Sequence, residues 1–164
     1  MPLLTRETLA ALVRKSRAKG SLAMLTSTVS NPHGYGRVVR DERGRIVRVV
    51  EHKDASPQEL EICEVNAGIY AAPADFLRKA TARLSPRNAQ GELYLTDIIE
   101  KAAASIGMDS VDVSPEEMSG INDRTQLIEA ETILGLRVIS RWMKHTTFRD
   151  PATVVIEAGV TIDE

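Results

Sequence analysis

The chain has 164 residues, 43% hydrophobic and 27% charged, which is the balance of a globular domain rather than a disordered or fibrous one. A net charge of −2 gives no basic surface for nucleic acid or anionic membrane. No apolar run approaches the ~20 residues of a membrane span. The single cysteine, Cys63, excludes an internal disulfide, and the N-terminus has no leader-like apolar core, so the sequence reads as a soluble cytoplasmic protein.

In chain order, Met1-Pro2-Leu3-Leu4 reads as the end of a buried strand. Thr5 caps a helix over 5–19, with Leu9, Leu12 and Val13 on one face and Gly20 as its stop. Residues 21–29 (SLAMLTSTV) predict a buried strand. Asn31-Pro32-His33-Gly34-Tyr35-Gly36 interrupts regular structure, and 37–40 and 45–51 predict a hairpin around Asp41-Glu42-Arg43-Gly44. A polar stretch then leads to a strand over 65–70, helices over 73–84 and 92–105, and a strand over 110–113. A long helix follows over 123–145, on which Leu127, Leu134, Val138 and Trp142 share one face. The alternation predicts an α/β fold. From Asp150 the pattern changes: Ile156 and Ile162 are six residues apart with a glycine between, the spacing of a parallel β-helix coil or of an ordinary edge strand.

Polar and glycine-rich segments between these elements are the candidate site. Gly34-Tyr35-Gly36-Arg37 is either a tight turn or a place where backbone meets ligand. Glu51, at a strand end, could accept two hydroxyl hydrogen bonds or belong to a solvated charged turn. Asn66, in an apolar strand, must be paired by backbone or face a cleft, and Gly68 would allow a close approach there. Asn88-Ala89-Gln90-Gly91-Glu92-Leu93-Tyr94-Leu95-Thr96-Asp97 could cap a helix, and helical spacing puts Glu92, Tyr94 and Thr96 on no single face. Asn122 or Asp123 caps the long helix, and an amide oxygen there can also ligate a hard cation. His52 is no metal candidate, because His33 and His145 sit at no ligand spacing.

Taken in order, these segments, with Val50-Glu51-His52-Lys53-Asp54-Ala55, Glu64-Val65-Asn66-Ala67-Gly68-Ile69 and Gly120-Ile121-Asn122-Asp123-Arg124, resemble the bacterial N-acetylglucosamine-1-phosphate uridylyltransferases. These are domains of bifunctional enzymes that also carry an acetyltransferase. The resemblance covers essentially the whole chain. It implies an incomplete Rossmann-like nucleotidyltransferase fold with a mixed sheet over 1–125, a linker helix over 126–149 and the first coil of a left-handed parallel β-helix over 150–164. It also implies transfer of uridylyl from UTP to N-acetylglucosamine 1-phosphate, giving UDP-N-acetylglucosamine and pyrophosphate, with Mg2+ as cofactor.

By motif match, the Gly36 backbone and the Glu51 and Asn66 side chains would hold the sugar, with Tyr94 and Thr96 lining its pocket. Asn122 would be the metal ligand beside the phosphates. The parent assembly would be a homotrimer. The family's Gly-Thr-Arg-Met loop, its downstream lysine, its Gln-x-x-Gly-Thr segment and its metal-binding aspartate have no counterpart in this sequence. The chain is therefore expected to start just after that aspartate, to expose sheet edges and to lack catalytic residues of its own. The alternatives are a nucleotidyltransferase of other sugar or nucleotide specificity, and a non-catalytic fragment that binds sugar or a partner.

Overall fold

A computed structural model describes residues 1–157 and 159–162. They fall into two compact units, Leu4–Met118 and, separately, Met1–Leu3 with the described residues from Ser119 on.

The first unit opens with α1 (Arg6–Lys19). The Thr5 hydroxyl accepts from the Thr8 N–H at one end, and Gly20 takes the left-handed cap at the other, with φ +63°. Next come β1 (Leu22–Thr28), β2 (Arg37–Arg40), β3 (Ile46–Val50), α2 (Pro57–Leu60), β4 (Glu64–Ala71), α3 (Ala74–Thr81), α4 (Asp97–Ala103), β5 (Met108–Asp112) and α5 (Pro115–Met118). The five strands form one mixed sheet in the order β3-β2-β4-β1-β5, parallel only between β1 and β5. β1, an interior strand between β4 and β5, is buried on both faces. Leu22 and Met24 pack with Val38, Ile46, Ile98 and Ile99. Ala23 and Leu25 face the other way, toward Leu12, Val65, Ala67 and Val113. The β2–β3 hairpin folds back across the sheet: Arg40 grips Glu64 of β4 through Nε and Nη2, and Nη2 also reaches Ser110 Oγ of β5 at 3.0 Å.

Several expectations shift. Met1–Leu4 forms no strand, although Leu3 is buried and its carbonyl accepts from Arg137 Nη1 at 2.6 Å. The helix expected from residue 92 starts only at Asp97, because the Asn88 carboxamide oxygen takes the N–H groups of Gln90 and Glu92 and Gly91 turns left-handed. Residues 57–60 form a helix turn that a capping box marks: Ser56 and Glu59 each accept the other's backbone N–H.

In the second unit, α6 (Arg124–Trp142) is capped by Asp123, whose carboxylate accepts from Gln126 N–H at 2.8 Å. Its buried residues are Ala130 and Ile139, whereas Leu127 and Leu134 of the expected face are exposed. After a short 3-10 turn at Pro151–Thr153, the described residues of the expected β-helix coil form no strand. Ala158, Asp163 and Glu164 of that coil lie outside the described residues.

Candidate functional site

The first unit gathers most of the polar segments around one strand end. Gly36 immediately precedes β2, and Arg37 pairs with Val50 on β3 and Val65 on β4, so the backbone before β2 lies between Glu51 and Asn66. The Asn66 N–H donates to the Gly36 carbonyl at 2.9 Å. A β-carbon at Gly36 would stand 2.8 Å from Val49 Cγ1 and 3.3 Å from Glu51 Oε2, so this glycine is needed for space. Gly68 differs. A β-carbon there would meet nothing within 4 Å, and its φ of +74° is what calls for glycine. Within the chain, the close approach occurs at Gly36.

Asn66 is paired within the protein. Its oxygen accepts from Gly68 N–H at 2.9 Å, and its Nδ2 donates to the Tyr70 hydroxyl at 2.7 Å. That contact depends on a bulge. Between the pairs Thr26–Asn66 and Met24–Tyr70, β4 advances four residues while β1 advances two. Tyr70 was not legible as a site residue, because only the bulge brings its hydroxyl to Asn66. Burial pushes the phenol's pKa up to about 12; the Asn66 hydrogen bond acts against the rise and the Glu51 charge adds to it. The phenol is therefore a neutral, protonated group in the neutral pH range.

Glu51 links this strand wall to the loop after α3. Thr96, almost fully buried, donates its hydroxyl to Glu51 Oε1 at 2.8 Å. Two further ties fasten the loop: Ala89 N–H donates to Asp54 Oδ1 at 2.8 Å, and Lys53 Nζ donates to Gln90 Oε1. Between wall and loop lies a cleft of about 200 Å³, lined by Glu51, Asp54, Arg87, Tyr94, Thr96 and Asp97 among others. The Tyr94 hydroxyl accepts from Gln90 Nε2 at 2.7 Å, and it also sits near the carboxylates of Asp54 and Glu92. Since residues 92–96 are not helical, Tyr94 and Thr96 both line this cleft.

Hydrogen-bond capacity remains where a polyhydroxylated ligand could use it. Glu51 keeps Oε2, and Asn66 keeps one N–H and one oxygen lone pair. Thus Gly36, Glu51, Asn66, Tyr94 and Thr96 belong to one connected region, the first three through direct contacts. Asn122 belongs to the second unit. It is exposed, and its N–H donates to Gln126 Oε1 at 2.6 Å while Asp123 does the capping. No group of three or more His, Cys, Asp or Glu suited to a metal occurs among the described residues. The Asn122 amide oxygen makes no hydrogen bond among them and has the hard-donor chemistry Mg2+ prefers, so it could serve as one oxygen ligand.

The mixed sheet with a polar cleft at one strand end is an α/β architecture, and comparison with known proteins gives the class. Residues 3–117 match the nucleotidyl transferase family, and the chain belongs to it. Among similar proteins, the "Bifunctional protein GlmU" of Anaeromyxobacter dehalogenans (strain 2CP-C) is 44% identical over 163 residues, covering 98% of this chain and 33% of its own length. The protein of the same name from Geobacter sulfurreducens is 46% identical over 166 residues, covering 99% of this chain and 35% of its own. The chain thus spans about a third of the length of these relatives. A crystal structure of a putative glucose-1-phosphate thymidylyltransferase from Bacillus anthracis, in complex with a sucrose, superposes with a TM-score of 0.54 at 18% identity. The match covers 90% of this chain and 53% of that one, and it bears on the fold alone.

Proposed function

We propose that this chain supplies the sugar-phosphate side of a uridylyltransfer site, in which N-acetylglucosamine 1-phosphate attacks UTP to give UDP-N-acetylglucosamine and pyrophosphate. The observation that carries the reading is the linkage of Gly36, Glu51, Asn66 and Thr96 by direct contacts at one strand end. The resemblance assigns these residues to the sugar. Glu51 Oε2 would accept from sugar hydroxyls, while Asn66 and the Gly36 backbone would read the N-acetyl group. Tyr94 would close the cleft side. A phosphate oxygen of the bound sugar would form the new bond to the α-phosphorus as the bond to pyrophosphate breaks. No side chain of this chain serves as nucleophile; its residues hold the attacking group in line.

Asn122 would offer an oxygen to Mg2+, which when bound neutralises phosphate charge. The relatives' greater length and the absence here of the triphosphate-gripping motifs support a further reading: the 164 residues alone bind sugar phosphate weakly and do not turn over. We assign α6 as the linker to a hexapeptide β-helix in a trimeric, cytoplasmic parent. No helix among the described residues is long and apolar enough to cross a membrane.

Two measurements test this. Calorimetric titration should show N-acetylglucosamine 1-phosphate binding more tightly than glucose 1-phosphate, with the preference lost in Glu51→Ala; equal binding would refute the sugar assignment. Pyrophosphate release from UTP, N-acetylglucosamine 1-phosphate and Mg2+ should stay at background with this chain alone. Turnover abolished by Asn122→Ala would show that no further segment is required.

A further inference from the structure

Arg37 is among the largest fully buried side chains of the protein, at 1% exposure, and it enters no ion pair with a carboxylate among the described residues. A guanidinium only donates and does not lose its proton in proteins. Its Nη1 donates to the Tyr35 carbonyl, its Nη2 donates to His52 Nδ1 at 3.2 Å, and its Nε–H finds no acceptor among the described residues. Because arginine cannot accept, Nδ1 of His52 must carry the lone pair, which fixes the neutral tautomer with its proton on Nε2. A proton arriving at Nδ1 would remove one of Arg37's two acceptors and set a second cation beside a buried one.

We propose that Arg37 and His52 form a proton-sensitive clasp that positions the Gly36 turn against the Glu51 end of β3, with Arg37 as the positioning residue and neutral His52 as its acceptor. The placement is direct: Arg37 follows Gly36, His52 follows Glu51, and the bond between them closes the hairpin where Gly36 meets the Glu51 carboxylate. The groups acting on His52 are His33 from the turn, its ring centroid 4.4 Å away at 62°, and Arg37 from β2; no carboxylate is among them. Burial first, then the His33 and Arg37 charges, holds the imidazole below its ordinary pKa. With the folded value depressed, the clasp is intact above the ordinary histidine value of about 6.5 and is lost as pH falls through the lower one. Its effect on sugar-phosphate binding rests on the function proposed above; its effect on the turn does not.

The test uses the 164-residue chain and two variants, followed by NMR from pH 7.5 to 5. In the wild type, protection of the Tyr35, Gly36 and Arg37 amides, taken relative to intrinsic exchange at each pH, should fall in step with the titration of the His52 ring, while the Leu25 amide in the core stays protected. His52→Gln, whose carboxamide oxygen accepts without titrating, should abolish that step. His52→Leu, with no acceptor, should leave the turn fast at every pH. An identical acid step in His52→Gln, or a turn as protected in His52→Leu as in the wild type, would overturn the clasp. For the ligand, the ratio of wild-type to His52→Gln affinity for N-acetylglucosamine 1-phosphate should fall as His52 protonates and level off at the His52→Leu ratio; taking the ratio cancels protonation of the phosphate itself. A constant ratio would overturn the coupling to binding. A turn step without sugar-phosphate binding at any pH would leave the clasp standing and sink the sugar reading.

Discussion

The two walls of the cleft are built by different means. The strand wall, the Arg48–Glu51 end of β3, is set by backbone pairing with β2 and by a contact at Gly36 too close for any other residue. The opposite wall, the loop before α4, is tied by side-chain hydrogen bonds from Lys53, Asp54 and Glu51, and enters the core only where α4 begins. Packing resists displacement, because interiors are dense and each lost methylene is felt. Exposed hydrogen bonds exchange with water at little net cost. A cleft with one wall of each kind can keep one side fixed while the other yields.

The largest effect is expected where the loop enters the core at the start of α4. Ile98 is fully buried with Leu22, Met24 and Ile99. Ile98→Ala should cost about 2–5 kcal/mol in urea denaturation through lost burial and the cavity left behind. A cost no larger than that of a surface change would mean that α4 does not anchor the loop. Next in size is the strand wall. Gly36→Ala should cost about 1–3 kcal/mol, because its methyl meets Val49 Cγ1 and the Glu51 carboxylate. Gly68→Ala should cost about 1–2 kcal/mol for backbone reasons alone, its φ being positive and its surroundings open. The discriminating readout is the Glu51 side chain, whose carboxyl carbon resonance should move in Gly36→Ala and stay in Gly68→Ala. Thr96→Val should then cost about 1.5 kcal/mol, since it removes a nearly buried hydroxyl donor to a carboxylate where the two walls meet.

How much of this was readable beforehand follows the same division. β1 and the β2–β3 hairpin announce themselves through their apolar, β-branched runs, and the α1 boundaries through Thr5 and Gly20, because those signals act locally. The Ser56–Glu59 box is equally local, but lies in a stretch whose composition reads only as polar. The start of α4 is not local in this sense, because Asn88 captures the backbone N–H groups of Gln90 and Glu92. Gly36 and Gly68 look alike in sequence; one is required by a neighbour across the hairpin and the other by its own φ, a distinction only tertiary structure makes. Tyr70 stayed hidden for a related reason, since a bulge on β4 sets its partner. The polar segments could be recognised as an ordered set, but not which of them touch.

The smallest expected effect isolates the loop wall. Asp54 is exposed, and its carboxylate holds the Ala89 N–H at 2.8 Å. In Asp54→Ala that N–H turns to water, so global stability should move by no more than about 0.5 kcal/mol. Locally the change should be larger. Amide exchange at Ala89 should quicken by roughly three- to tenfold, the equivalent of one hydrogen bond of ~0.5–1.5 kcal/mol, while Asn66 and Arg37 keep their wild-type rates. Equal acceleration in both walls would mean that the cleft opens as a single unit and that the contrast between packed and tethered sides is false. Acceleration confined to the loop would identify the tether as the part that yields when the cleft opens.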